Sequence, residues 1–246
     1  MSVSGKRVLV TGASAGIGAA TVERLAADGA KVVVASRSQP PALPSGATWV
    51  ATDVSDTTAV TSLFDQHGPF DAVVNNAGVQ VEKTIAETTD ADYDLVMDVN
   101  VRGVFLCCRA AVRQMADSGG GSIVNIASVA ASTADHGMAV YNASKGAVLS
   151  LTRAIAVDHG RDGIRCNAVS PGWIMTALAD AAFDVAEDPA AAREAATAKH
   201  PVGRMGRPSD VAGLVAWLIS DDATFASGSN FTTDGGLTAQ SPISPD

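Results

Sequence analysis

Aromatic residues make up only 4% of this 246-residue chain, so Ala, Val, Ile and Leu must fill its core. Cysteine is scarce too. Cys107, Cys108 and Cys166 show no paired spacing, and sequence neighbours rarely bridge each other, so a disulfide scaffold is excluded and three reduced thiols in or near the core are expected. His67, His136, His159 and His200 are scattered, and Cys107-Cys108 has the wrong spacing for a metal, so no metal site is expected. Basic charge is in deficit: 17 Lys and Arg stand against 26 Asp and Glu, a net charge of −9. An acidic surface disfavours polyanions, which excludes nucleic acid and an anionic membrane as expected partners while leaving room for a local basic pocket. Long apolar runs are missing as well. Val211–Ile219 is far short of the roughly 20 residues that span a bilayer. The opening MSVSGKRVLVTG runs straight into a strand without a long apolar signal region, so a cytoplasmic protein is expected. What is present is globular: 47% hydrophobic and 17% charged residues, a length that suits a single large domain over 1–246.

Short Val-rich runs alternate with longer Ala-rich runs of helical period. Strands are expected at Arg7–Thr11, Lys31–Ser36, Thr48–Ala51, Ala72–Asn75, Ser122–Ala127, Arg165–Val169 and Asn230–Thr233. Helices are expected at Ile17–Asp28, Thr57–Gln66, Tyr93–Asp117, Tyr141–His159, Thr176–Lys199 and Ser209–Ser220. Alternation of this kind implies an α/β fold with a parallel sheet covered on both faces, and the continuous apolar strands fit that burial. Ser38–Gly46 reads SQPPALPSG, and its three prolines predict a loop where a helix would otherwise join the second and third strands. The residues from Gln240 to Asp246 read as a tail.

Thr11–Gly18 reads TGASAGIG, between the first strand and the first helix. Gly12 permits a tight turn, Gly16 a close backbone approach to a pyrophosphate, and Gly18 close packing of helix on sheet. The helix N-terminus would then offer free N–H groups and a positive dipole end to the anion. The second strand ends Val33-Val34-Ala35-Ser36-Arg37 without the acid that would accept ribose hydroxyls; Arg37 there can pair with a 2′-phosphate, which favours NADP over NAD. Ala15 stands where a second basic residue would support that phosphate. Asp53 can accept from an adenine amino group, with Val54 adding a backbone contact, or it can be a helix cap. In Asn75-Asn76-Ala77-Gly78 the small residues let a ribose lie against the backbone, and the asparagines can tie strand ends together.

Tyr141 and Lys145 share one helix face at i, i+4 spacing. An ammonium beside a phenol favours the phenolate, so the tyrosine pKa is expected to move from 10 toward neutrality, as a general acid/base needs. Ser128 ends the fifth strand, at the sheet edge where ligands bind. Asn100 is a poor helix-interior residue, and a local kink that holds a water near Lys145 would explain it. In Pro171-Gly172-Trp173-Ile174-Met175-Thr176 the loop offers Ile174 backbone groups to a carboxamide and the Thr176 hydroxyl to carboxamide or phosphate.

TGASAGIG, NNAG, Asn100, Ser128, Tyr141-Asn142-Ala143-Ser144-Lys145 and PGWIMT, in that order, resemble the short-chain dehydrogenase/reductase family, from Lys6 to about Gly236, with its 3-oxoacyl-[acyl-carrier-protein] reductases as similar members. Pro201–Pro208 and Asp234-Gly235-Gly236 resemble it too. The resemblance implies a Rossmann-type, three-layer, doubly wound fold with a seven-stranded parallel sheet, and a homotetramer. It implies that Tyr141 is the acid/base, Ser128 orients the carbonyl or hydroxyl, Lys145 binds nicotinamide ribose and lowers the tyrosine pKa, and Asn100 anchors a proton-relay water. It places the nicotinamide cofactor against Gly12, Ser14, Gly16, Ile17, Gly18, Ser36, Arg37, Asp53, Val54, Asn76, Ala77, Gly78, Tyr141, Lys145, Pro171, Gly172, Ile174 and Thr176. One departure is Ala131, where the family often has glycine.

The expected activity is hydride transfer between a nicotinamide and a ketone or secondary alcohol, as a carbonyl reductase. The alternatives are an NAD-linked alcohol or diol dehydrogenase, or an NADPH-sensing regulator. A sensor has no need of the acid/base, and the isomerase and dehydratase relatives carry a larger C-terminal domain. The Ala-rich segment at about 177–200 is expected to form a mobile helical lid, with Trp173, Met175, Leu178 and Phe183 making an apolar substrate pocket. His136 is a candidate cleft residue. Lys199, Arg204 and Arg207 are candidates for an anionic group of the substrate. Asp90, Asp92, Asp94 and Asp98 suit the start of a helix.

Overall fold

A computed structural model describes residues 2–184 and 186–240; the side chains of Leu178 and Ala182 lie outside that description, as do residues 241–246, which the expected tail covers. Strands β1 (Arg7–Thr11), β2 (Lys31–Ser36), β3 (Ala47–Ala51), β4 (Ala72–Asn75), β5 (Gly121–Ile126), β6 (Ile164–Pro171) and β7 (Asn230–Thr233) form one sheet in the order β3-β2-β1-β4-β5-β6-β7. Every pairing is parallel. The chain order reverses between β1 and β4, which opens a crevice at their carboxyl ends.

Period-two side-chain alternation splits the strand residues between two cores. Val8, Val10, Val32, Val34, Val74 and Val124 face α1 (Gly16–Ala27) and α8 (Pro208–Ile219), through Val22, Leu25, Val211, Val215 and Leu218. Leu9, Val33, Val73, Ile123, Cys166 and Ala168 face α2 (Thr57–His67), α4 (Val104–Asp117) and α5 (Ala139–His159), through Leu63, Phe64, Leu106, Cys107, Val148 and Leu149. This is the expected three-layer, doubly wound arrangement. The Pro-rich stretch contains no helix, as expected, and links β2 directly to β3.

Two expected helices differ. The one placed at Tyr93–Asp117 starts earlier, as α3 (Asp90–Met97), because Thr89 and Asp92 form a reciprocal capping box. It then widens into a π turn over Asp98–Gly103 before α4. The one placed at Thr176–Lys199 is two helices, α6 (Ala177–Asp184) and α7 (Pro189–Ala198). Asp188 caps the Ala190 and Ala191 amides, and Pro189 sits in the first turn, where its missing N–H costs nothing. Among the described residues no helix is long and apolar enough to cross a membrane.

Candidate active site

A cavity of about 400 Å³ follows the carboxyl edge of the sheet across the crevice. Its nucleotide end is built on glycines in conformations other residues avoid. Gly12 has φ +64° and Gly16 φ +60°, and a Cβ on Gly12 would lie 2.5 Å from the Ala77 Cα. The first turn of α1 follows Ala15, which offers no side-chain cap, so the helix N–H groups are left for a ligand. Thr11 locks the loop to β4: its Oγ1 accepts from the Asn76 and Ala77 amides, both at 3.1 Å. Asn76 Nδ2 donates to the Thr11 and Gly12 carbonyls, and Asn75 Nδ2 donates to Asn125 Oδ1, so the two asparagines tie β4 to β1 and to β5 as expected. Glycines that a Cβ would jam, beside uncapped helix amides, fit a dinucleotide pyrophosphate.

Of the expected cofactor positions, Gly12, Ser14, Gly16, Ile17, Ser36, Arg37, Asp53, Val54, Asn76, Ala77, Gly78, Tyr141, Lys145, Pro171, Gly172, Ile174 and Thr176 all line this cavity. Gly18 lies behind it. A Cβ there would come 2.5 Å from Asn76 Nδ2, so its task is packing, as expected. The Ser36 hydroxyl is spent within the protein, donating to Ser38 O and accepting from Trp49 Nε1. Asp53 Oδ1 accepts from the Ser55 amide and hydroxyl, and these bonds, with a smaller contribution from Arg37, hold its carboxyl below the usual carboxylate range. Asp56, and not Asp53, caps α2. Arg37 itself is exposed on the rim.

Ser128, Tyr141 and Lys145 converge at the other end. Ser128 follows β5, and its Oγ accepts from the Ala130 amide at 3.1 Å. Lys145 Nζ donates to the Ile126 carbonyl at 2.9 Å and stands 5.6 Å from the Tyr141 ring centroid. The expected fall in the tyrosine pKa is not found. Burial raises it, against a hydrogen bond with Ser128 that lowers it. Burial also pulls Lys145 down to about 8. Both groups lose water on packing here, so desolvation penalises phenolate and ammonium alike.

Asn100 does not line the cavity. It is fully buried inside the π turn, so the expected kink is present. Its side chain is occupied: Oδ1 accepts from the Val79 amide, and Nδ2 donates to Val79 O and Ser144 Oγ. Gly78 packs between the two groups, since a Cβ there would lie 3.4 Å from Asn100 Oδ1 and 3.5 Å from Lys145 Nζ.

Trp173, Ala177 and Ala179 close one side of the cavity, and Trp173 stacks on Phe183 at 4.8 Å. Met175 is 48% exposed and makes no part of this wall. His136 is exposed and does not line the cavity; its neighbours Asp135 and Met138 do, along with Val79, Gln80 and Val129. The direction of a loop side chain leaves no periodic signal in sequence. Arg204 is taken by Asp210 in a two-pronged ion pair, and Lys199, Arg204 and Arg207 all lie outside the lining. Among the described residues no cluster of His, Cys, Asp and Glu could hold a metal.

A family model described as "Enoyl-(Acyl carrier protein) reductase" matches residues 12–238. The NADP-dependent (R)-specific alcohol dehydrogenase of Lentilactobacillus kefiri is 37% identical, over 97% of this chain and 98% of the relative. The meso-2,3-butanediol dehydrogenase of Serratia marcescens is 38% identical, over 97% of each. The ligand-free aldohexose dehydrogenase of Thermoplasma acidophilum superposes with a TM-score of 0.92 at 35% identity, covering 99% of this chain and 98% of that one. Glycine cradle, Ser-Tyr-Lys convergence and full-length likeness agree: the chain belongs to the short-chain dehydrogenase/reductase family, nicotinamide-dependent oxidoreductases that act on CH–OH groups.

Proposed function

We propose that this chain is an NADP(H)-preferring reductase of ketones, running also as a secondary-alcohol dehydrogenase, with Tyr141 as general acid/base. The observation that carries the reading is the convergence of Ser128, Tyr141 and Lys145 on a cavity whose other end is the glycine cradle. The bound nicotinamide supplies the hydride in reduction and takes it in oxidation. Tyr141 gives its phenolic proton to the developing alkoxide, or removes the proton from the alcohol. Ser128 donates to the same oxygen and fixes the face presented to the nicotinamide. Lys145, anchored on Ile126 beside Gly78, would hold the nicotinamide ribose and return a proton to Tyr141. The Asn100 side chain is already satisfied, so a relay water is held by backbone groups of the π turn rather than by the amide.

Arg37 supports the NADP preference, as a cation on the adenosine rim with no acid at the end of β2. The Lentilactobacillus relative is NADP-dependent by name. An NAD-linked alcohol or diol dehydrogenase is the second reading, favoured by Ala15 in the loop and by the exposure of Arg37 to water. The chain acts as one domain, with α6 and α7 as the substrate lid and a largely apolar pocket behind Trp173 and Met138. It works in the cytoplasm as a homotetramer, a reading that rests on family resemblance and that light scattering decides.

Tyr141→Phe is expected to cut turnover about 10³-fold, within the usual reach of general acid catalysis, and to leave NADPH affinity nearly intact. Activity retained at a tenth of the starting rate would end the acid/base assignment. Arg37→Ala is expected to weaken NADPH about tenfold, roughly 1.4 kcal/mol, and NADH little. Equal losses for the two cofactors remove Arg37 from the phosphate site.

A further inference from the structure

The substrate end of the cavity carries one charged side chain besides Lys145: Asp135, exposed on the loop between β5 and α5. Its companions Val79, Val129, Met138 and Trp173 are apolar, and Gln80 is neutral, with an amide N–H engaged by Glu82 Oε1 at 2.9 Å. Lys83 and His136, on the neighbouring segments, do not line the cavity. Lys83, whose backbone bridges to that of Met138, holds Asp92 at 2.7 Å. His136 is exposed and lies outside the lining. A carboxylate is an acceptor only, so it favours a substrate group that donates a hydrogen bond and opposes one that carries negative charge.

We propose that Asp135 is a specificity-determining residue that receives a second hydroxyl of the substrate, remote from the reacting carbon, and excludes anionic substrates. The preferred class is then a neutral hydroxyketone or the corresponding diol, with an apolar body against Trp173 and Met138. This rests on the carbonyl reductase reading above. It departs from a purely apolar pocket, and it offers no place for the acidic or phosphorylated carrier groups that Lys199, Arg204 and Arg207 would otherwise bind.

The test uses three ketones of one length: 2-pentanone, 5-hydroxy-2-pentanone and 4-oxopentanoate. Each is assayed with NADPH and wild-type protein, Asp135→Asn and Asp135→Lys. The wild type is expected to prefer the hydroxyketone over 2-pentanone by tenfold or more in kcat/KM and to turn over the keto acid worst. Asp135→Asn should shrink both ratios several-fold, through the KM of the hydroxyketone and of the keto acid. Asp135→Lys should bring the keto acid above 2-pentanone. Because Asp135 is exposed on a loop, both variants are expected to fold, and unchanged NADPH binding verifies that. Ratios that are the same in all three proteins, or a hydroxyketone that is not turned over while 2-pentanone is, overturn the proposal. Wild-type protein that reduces none of the three ketones with NADPH overturns the reductase reading instead, so the two failures are told apart.

Discussion

Lys145 is held in a pocket that opposes its charge. Burial places its ammonium at about 8 rather than 10.5, so between those values the unfolded chain binds a proton that the folded one has released. Stability therefore rises with pH across that window, and at pH 7 the fold carries a cost of up to about 3 kcal/mol, at roughly 1.4 kcal/mol per unit. Above pH 10 the raised Tyr141 works the other way, because the folded phenol keeps a proton the unfolded chain loses. Lys145→Met is expected to abolish turnover and yet stabilise the protein at pH 7, by about 1–2 kcal/mol after allowing for the lost bond to Ile126 O. Urea unfolding at pH 7 and 9.5 checks this; an unchanged pH slope sinks it. The same titration shapes activity. Reduction needs a protonated Tyr141 and a charged Lys145, so kcat/KM for a ketone should be flat at neutral pH and fall as pH rises through about 8. Alcohol oxidation should climb with pH as the phenol ionises. Parallel profiles in the two directions would contradict the assignment.

Asn100 shows how far a single residue type can be read. A polar, poor helix former in a long apolar pattern pointed to a kink, and the π turn Asp98–Gly103 is that kink. Which partners its amide finds, Val79 and Ser144, depends on elements 21 and 44 residues away and leaves no local trace. The π turn also brings Gly103 against Val54, where a Cβ would lie 2.7 Å from Val54 Cγ2. Gly103→Ala is expected to push Val54 into the adenosine end of the cavity and weaken NADPH several-fold, with kcat little changed; a fall in kcat alone would point to Asn100 instead. At the start of α3, Thr89→Ala removes half of a capping box and should cost about 1 kcal/mol in unfolding free energy. The break between α6 and α7 was written in Asp188-Pro189, a cap followed by a first-turn proline. The Ala-rich period on either side hid it, because helical propensity sums smoothly over such a window.

For the molecule as a whole, burial on both faces of the sheet predicts chemical inertness. Cys107, Cys108 and Cys166 are free and buried, and desolvation pushes Cys107 and Cys166 up to about 12 and raises Cys108 well above its ordinary value. A disulfide reagent is expected to find none of the three at neutral pH until the protein unfolds, and then all three. One fast-reacting thiol in the native protein would contradict the packing. The seven strands and the parallel order were legible because buried strands are continuous Val-rich runs and every connection but the Pro-rich one carried a helical period. Tyr141, Lys145, Ser128 and the glycine loop were legible because their spacing is local: one helical turn, one strand end, one strand-to-helix turn. Three things only tertiary packing decided. Desolvation raised the tyrosine pKa where a neighbouring ammonium was expected to lower it, because dielectric surroundings come from every element around the pocket. Asp210 claimed Arg204, leaving the substrate end without that cation. And the loop before α5 set Asp135, and not His136, along the cavity, a choice that adjacent residues in irregular backbone do not encode.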